Sequence, residues 1–206
     1  MKTVIFDFDG TIANSFETLL GLFGEITERQ QQLTSAEVKQ LRGSSIRQVI
    51  KYLKVRPWQI PRLALKAKKL LGSRIKDIKT FPGIPAAIKE LRANDYRLYV
   101  LSTNSPENIK AFLAANDMKG SFHKIYGDVS LFGKASALKK IRRNERLTGD
   151  VIYIGDEQRD IEAARKAGVK IVSVSWGYNF PEILIKAKPD ALACTPKDLP
   201  DILARL

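Results

Sequence analysis

The stretch Val4-Ile5-Phe6-Asp7-Phe8-Asp9-Gly10-Thr11 decides how this chain is read. A short apolar run delivers two carboxylates, Asp7 and Asp9, with Gly10 and Thr11 straight after. Carboxylates are disfavoured inside strands, so a strand that ends in Asp7 and Asp9 displays them. Side chains two apart in a strand share a side, so the two carboxylates are expected together. Such a pair repels unless a cation sits between its members or they share a proton. Gly10 allows a sharp turn and a close backbone approach to a ligand, and Thr11 adds a hydroxyl. A nucleophilic carboxylate, an acid/base carboxylate and a place for Mg2+ suit an attack on phosphorus. The competing reading is a metal-free acidic strand end in an ordinary α/β domain.

Working outward, VIYIGDEQRDIEAARKAG, Val151 to Gly168, repeats the logic. An apolar strand ends at Gly155 and Asp156, and Asp160 follows four residues on, at the opening of a helix. Ligands of open α/β sheets bind beyond the carboxyl ends of the strands, so two acidic strand ends are expected to meet at one site. A third strand, RLYVLSTNS, ends in Ser102, Thr103 and Asn104, and LFGKASALKKI puts Lys134 just after Gly133 at a helix start. Hydroxyls and an ammonium are what a transferring phosphoryl group needs around its equatorial oxygens.

These four pieces, in this order, resemble the haloacid dehalogenase superfamily in its helical-cap phosphatase branch, similar to phosphoglycolate phosphatase-like proteins. The resemblance spans nearly the whole chain: DFDGT, VLSTNS, GKASAL and GDEQRD stand where that superfamily has its four motifs. It implies a Rossmann-like parallel sheet with a small inserted α-helical cap. It also implies Asp7 as the nucleophile that becomes an aspartyl phosphate, and Asp9 as the acid that protonates the leaving oxygen and then activates water. Gly10, Thr11 and Asn104 would border the phosphoryl group. Ser102 would bind it, with Thr103 as the runner-up, and Lys134 would pair with Asp7 and the phosphate. Asp156 would complete the Mg2+ site with Asp7 and the Asp9 carbonyl, and Asp160 would orient the metal shell. The dehalogenase branch has no acid at the second position because halide leaves without a proton. An alkoxide leaving phosphorus benefits from one, so Asp9 argues for phosphate chemistry. The chain departs from the pattern at Asn14, where the family often has Asp; a helix cap is the expectation there. Lys134 lacks the proline often seen next. Glu157 and Arg159 are expected on the rim.

At 206 residues the chain has room for one domain, or for a core plus a modest insertion. No apolar stretch approaches the length of a membrane span, and the first strand starts at once and carries acids, unlike a signal peptide. A cytoplasmic location is the expectation. The single cysteine, Cys194, excludes an internal disulfide; its apolar DALAC setting predicts a small buried residue. The single histidine, His123, has no cysteine or second histidine to share a zinc ion.

Short apolar strands alternate with helical patterns, which reads as parallel α/β. Strands are expected near 3–8, 97–102, 123–127, 150–155, 170–175 and 190–194. Helices are expected near 84–94, 106–116, 134–145, 158–167, 180–187 and 197–205. Residues 15–80 break the alternation: their apolar spacing is helical throughout, punctuated by Gly43, Pro57 and Pro61. The division expected is a catalytic core of residues 1–14 and 81–206 with residues 15–80 as a helical cap, hinged near 12–16 and 79–84.

Between Glu37 and Lys79 stand thirteen lysines and arginines against two acidic residues, nearly all of the formal charge of +13. A solvated helical surface accounts for this; an electropositive lid that steers anions does too. Nucleic acid is disfavoured as a partner, because only Tyr52 and Trp58 offer rings to stack on in this region. The turn LRGSSIRQ resembles the substrate-specificity loop of capped family members, which makes Arg42, Gly43, Ser44 and Arg47 candidates for substrate contact. The function expected is a Mg2+-dependent phosphatase acting on a small anionic phosphorylated metabolite. The alternatives are a sugar phosphomutase of the same architecture and a nucleic-acid-binding protein with a vestigial site. The intact acid set argues against the last. Oligomeric state is not legible.

Overall fold

The computed structural model describes residues 2–26, 34–42, 44, 46–52, 55–130, 132–147 and 149–206. Six strands form one parallel sheet: β1 (Thr3–Phe6), β2 (Arg97–Leu101), β3 (Lys124–Tyr126), β4 (Val151–Gly155), β5 (Lys170–Val174) and β6 (Ala191–Ala193). Their order across the sheet is β3-β2-β1-β4-β5-β6, so the winding reverses between β1 and β4. That reversal opens a crevice beyond the carboxyl ends of the strands. Each strand lies within two residues of its expected bounds.

Both faces of the sheet are covered, which is why β1, β2 and β4 read as unbroken apolar runs. On one face Val4, Phe6, Leu98, Val100, Ile152 and Ile154 pack with residues of α5 (Ile84–Ala93), α6 (Pro106–Ala115) and α10 (Leu199–Arg205). On the other, Ile5, Tyr99, Leu101 and Tyr153 pack with α7 (Lys134–Asn144), α8 (Gln158–Ala167) and α9 (Pro181–Lys186). The alternation from one face to the other follows the two-residue period of a strand.

Between β1 and α5 the described residues carry α1 (Phe16–Ile26), α2 (Ser35–Arg42), α3 (Ile46–Tyr52), a 3-10 turn at Pro57–Gln59 and α4 (Ile60–Arg74), and no strand. Leu22 of α1, Leu71 of α4, and Ile75 and Ile78 beyond it are buried in the same apolar cluster as Val4 and Phe6. The segments that lead into and out of these helices run side by side. Ala13 bridges Thr80 in antiparallel fashion, the Asn14 amide donates to Lys79 O (3.0 Å) and the Phe81 amide to Ile12 O (3.2 Å). No helix among the described residues is long and apolar enough to cross a membrane.

Two local expectations fail. Cys194 is exposed, because β6 ends at Ala193 and the chain turns there, with the Cys194 amide on Asp198 Oδ2 (2.9 Å). Asn14 is exposed and stands one residue too early to cap α1; Ser15 holds that position, and its hydroxyl is engaged elsewhere.

Candidate active site

Asp7 follows the last residue of β1 and is 3% exposed. Its Oδ1 accepts the Phe8 amide (2.8 Å), and its Oδ2 accepts Lys134 Nζ (2.6 Å). Lys134 opens α7, the helix between β3 and β4, and its Nζ also donates to Asp160 Oδ1 (2.6 Å). One buried ammonium thus bridges two buried carboxylates, with the Tyr153 ring 5.7 Å from Nζ. Asp160 is the most fully engaged acid. Tyr153 Oη also donates to its Oδ1 (3.2 Å), and the Glu157 amide donates to its Oδ2 (3.1 Å) at the start of α8.

Asp156, just past β4, completes the cluster. Thr11 Oγ1 donates to its Oδ1 (2.8 Å) and the Tyr178 amide to its Oδ2 (2.8 Å). Gly10 makes this packing possible: its φ is +83°, and a Cβ there would lie 2.2 Å from Asp156 Oδ2. The Thr11 hydroxyl, expected beside a phosphoryl group, is spent on Asp156.

A carboxylate oxygen from each of Asp7, Asp156 and Asp160 lies within 4.8 Å of the others. Burial, helped by Glu157 and Asp7, pushes the Asp156 carboxyl well above its usual range. Burial also drives Asp7 up to about 7, against the pull of Lys134. Burial would lower the Lys134 ammonium, but Asp160 and Asp7 reverse that and leave it raised, so the proton stays on the lysine. Lys134 pairs with Asp7 and Asp160 but not with Asp156, whose carboxyl accepts, among the described residues, only from the Thr11 hydroxyl and the Tyr178 amide. Uncompensated buried charge is costly, and oxygen ligands suit a hard divalent cation, so the donor set fits a divalent metal.

The Asp9 carboxylate does not join this group. β1 ends at Phe6, so the strand rule that would align Asp9 with Asp7 no longer applies. The amides of Thr11, Ile12 and Ala13 all turn back onto Phe8 O (3.3, 2.9 and 2.9 Å), and Asp9 is carried round that turn. Its Oδ1 accepts Ser15 Oγ (2.8 Å) and its Oδ2 accepts Asn104 Nδ2 (3.3 Å). Ser15 Oγ is in turn 2.7 Å from Tyr178 Oη. With the Ser15 proton on Asp9, the tyrosine is the donor. Burial raises the Asp9 carboxyl, and the Ser15 and Asn104 hydrogen bonds oppose the rise.

Past β2, Ser102 is buried and Thr103 half-buried. Ser102 Oγ accepts the Asn104 amide (3.0 Å), which leaves its own proton free to donate. Asn104 is held by the Ser105 amide and Asn108 Nδ2 on its Oδ1 (2.9 and 3.0 Å). Of the candidates after β1, Arg42 donates to backbone carbonyls of residues 176 and 177. Ser44 Oγ donates to Gln40 O (2.8 Å). Gly43 lies outside the described residues, and Arg47 lies in α3 with its side chain outside them.

Three features escaped the sequence reading. Glu157 is not on the rim: it is 8% exposed, and it accepts Arg159 Nε and Nη2 (2.9 and 2.5 Å) beside the acidic cluster. Ser15 and Tyr178 form the hydrogen-bonded support of Asp9. The turn Trp176-Gly177-Tyr178-Asn179 after β5 cups Asp156; a Cβ on Gly177 would lie 2.2 Å from Asp156 Cβ. The available signal was position, since this turn follows the strand next to β4 at the sheet's carboxyl end.

Residues 4–174 match the haloacid dehalogenase-like hydrolase family. The chain is 33% identical to a phosphoglycolate phosphatase of Synechococcus elongatus, an alignment covering 100% of this chain and 99% of that protein. It is 24% identical to the pyrophosphatase PpaX of Listeria innocua, over 97% of this chain and 94% of that one. A haloacid dehalogenase-like hydrolase from Streptococcus pneumoniae has a similar structure, with a TM-score of 0.82 at 21% identity, over 98% and 97% of the two chains.

Proposed function

The chain belongs to the haloacid dehalogenase-like hydrolases and is a phosphatase; from that premise we propose that it hydrolyses a small phosphate monoester such as phosphoglycolate, with Mg2+ and with Asp7 as the phosphoryl carrier. The observation that carries this reading is the buried Lys134 bridging Asp7 and Asp160, with Asp156 in the same cluster.

Asp7, Asp156 and the Asp9 carbonyl would hold the cation, whose charge offsets the crowded carboxylates and the phosphoryl oxygens. Asp160, its oxygens taken by Lys134, Tyr153 and the Glu157 amide, orients rather than coordinates. A carboxylate oxygen of Asp7 attacks phosphorus as the bond to the leaving oxygen breaks. Asp9 gives that oxygen a proton, a task suited to a carboxyl raised by burial. Asp9, now ionised, takes a proton from water; the water oxygen attacks phosphorus, and the bond to Asp7 breaks to release phosphate. Ser102, with a free proton, and Lys134, with a third N–H, donate to the phosphoryl oxygens. Residues 15–80 act as the cap that excludes water from the crevice.

A panel of phosphorylated metabolites, assayed for free phosphate with and without Mg2+, tests the reading. Acid-quenched enzyme should carry a phosphoryl group on the peptide containing Asp7. Asp7→Asn should lose both turnover and label. A variant that keeps wild-type rates would remove Asp7 from its role, and isomerised sugar phosphate in place of free phosphate would make the enzyme a mutase.

A further inference from the structure

Arg42 ends α2, in the helical segment that follows β1, yet its described side-chain hydrogen bonds run to the turn after β5. Its Nη2 and Nε donate to Gly177 O (2.8 and 3.2 Å), and Nη2 also reaches Trp176 O (3.4 Å). Its own carbonyl accepts Asn179 Nδ2 (3.4 Å). The guanidinium lies between two rings, 5.7 Å from the centre of Phe16 and 5.6 Å from that of Phe180. One ring comes from the helical segment and the other from the core. Aromatic faces attract a guanidinium and keep water from its hydrogen bonds.

The carbonyl of Gly177 and the amide of Tyr178 are the two ends of one planar peptide group. No peptide bond in the described chain is cis, so these two groups point in opposite directions. Arg42 holds the carbonyl end, and Asp156 Oδ2 accepts the amide end at 2.8 Å. The guanidinium and the Asp156 carboxyl are therefore joined through a single peptide unit, and each hydrogen bond polarises it in favour of the other. Asn179 Oδ1 fixes the opposite flank by accepting the Gln158 amide (2.9 Å) at the start of α8. Tyr178 Oη supports Ser15, which supports Asp9.

We propose that Arg42 is a positioning residue for Asp156: through the 177–178 peptide it makes the seating of the helical segment and the setting of the metal-binding carboxylate one event. This rests on the phosphatase reading of the acidic cluster. A guanidinium committed to core carbonyls is not the group that reads the substrate. With the helical segment lifted, the turn loses its clamp and Asp156 its amide donor. The site is then complete only when it is covered.

Two variants test this. Arg42→Met keeps the stem and removes the hydrogen bonds; Arg42→Lys keeps the charge but not the fork that spans two carbonyls. In metal-free protein, hydrogen exchange at the Tyr178 amide should rise about tenfold in Arg42→Met and less in Arg42→Lys, while β1 keeps its protection. Calorimetric titration with Mg2+ should show weaker binding by a similar factor, in the same order. In turnover, the Mg2+ concentration needed should rise equally for every substrate. Unchanged Tyr178 exchange in either folded variant overturns the proposal, as does unchanged Mg2+ affinity. A rise in KM confined to substrates with a second anionic group would return Arg42 to substrate contact and overturn it too. A wild-type protein that binds no divalent cation would sink the reading of the cluster instead, and Tyr178 exchange would still decide whether Arg42 holds the turn.

Discussion

Replacing Lys134 with Met tests the centre of the site most severely. Its Nζ lies 2.6 Å from both Asp7 Oδ2 and Asp160 Oδ1, and the three side chains are 4%, 4% and 0% exposed. Methionine matches the stem in volume, so the perturbation is loss of the ammonium rather than of packing. Removing one partner of a buried ion pair costs about 3–5 kcal/mol, since the other charge is left uncompensated. At about 2–4 °C per kcal/mol for a chain of this size, Tm should fall by about 6–20 °C. The pH dependence has a definite sign. Against the upward push of burial, Lys134 holds Asp160 below the usual carboxylate range, and it restrains Asp7, which burial has already brought to about 7. Without the ammonium both rise. The native variant then binds protons that the unfolded chain, titrating near about pH 4, does not. A group whose folded pKa is raised in this way weakens the fold as pH climbs from the unfolded value through the folded one. The Tm deficit should therefore be large at about pH 8 and shrink towards about pH 5. Calorimetric melts of both proteins in chelator measure it. A deficit under about 2 °C at the higher pH, or one that widens on acidification, would refute the idea that Lys134 neutralises this cluster.

Asp9→Asn should slow phosphoryl transfer from a sugar phosphate more than from an aryl phosphate, whose leaving oxygen needs little protonation; equal losses in single-turnover formation of phosphoenzyme would remove Asp9 as the acid. Chelation should abolish activity and Mg2+ restore it. Asp156→Ala should raise the Mg2+ concentration required, because one of few carboxylates is gone; an unchanged titration would place the ion elsewhere. If the basic helical segment steers substrate, kcat/KM should fall with added salt while kcat holds; indifference of kcat/KM to salt would leave that charge a solvated surface.

Much of the fold was legible because its signals are local. A strand covered on both faces must be apolar along its length, so Val4–Phe6, Leu98–Leu101 and Val151–Ile154 announce themselves. Acidic and polar residues straight after such runs mark the carboxyl ends, which made Asp7, Asp156 and Ser102 candidates, while Lys134 stood out as an ammonium just after Gly133 at a helix start. The helical spacing of residues 15–80 was equally plain. Local reasoning failed where one or two residues more or less of strand changed the outcome. β1 stops at Phe6 rather than at residue 8, so Asp9 turns to Ser15 and Asn104 instead of sharing a side with Asp7. β6 stops at Ala193, so Cys194 is exposed.

What the sequence by itself determined is the chemistry delivered to the ends of the strands. Which of those groups become partners was decided by the order of the strands. Lys134 reaches Asp7 across 127 positions of chain, Thr11 reaches Asp156 across 145, and Arg42 reaches Gly177 across 135. No periodicity spans such separations. Only the placing of β4 beside β1, and of β5 beyond it, brings the Trp176–Asn179 turn against Asp156 and buries Glu157 with Arg159. A carboxylate's neighbours set its charge and its work. Those neighbours are chosen by sheet topology, because burial at the crevice leaves a charged group no solvent to fall back on.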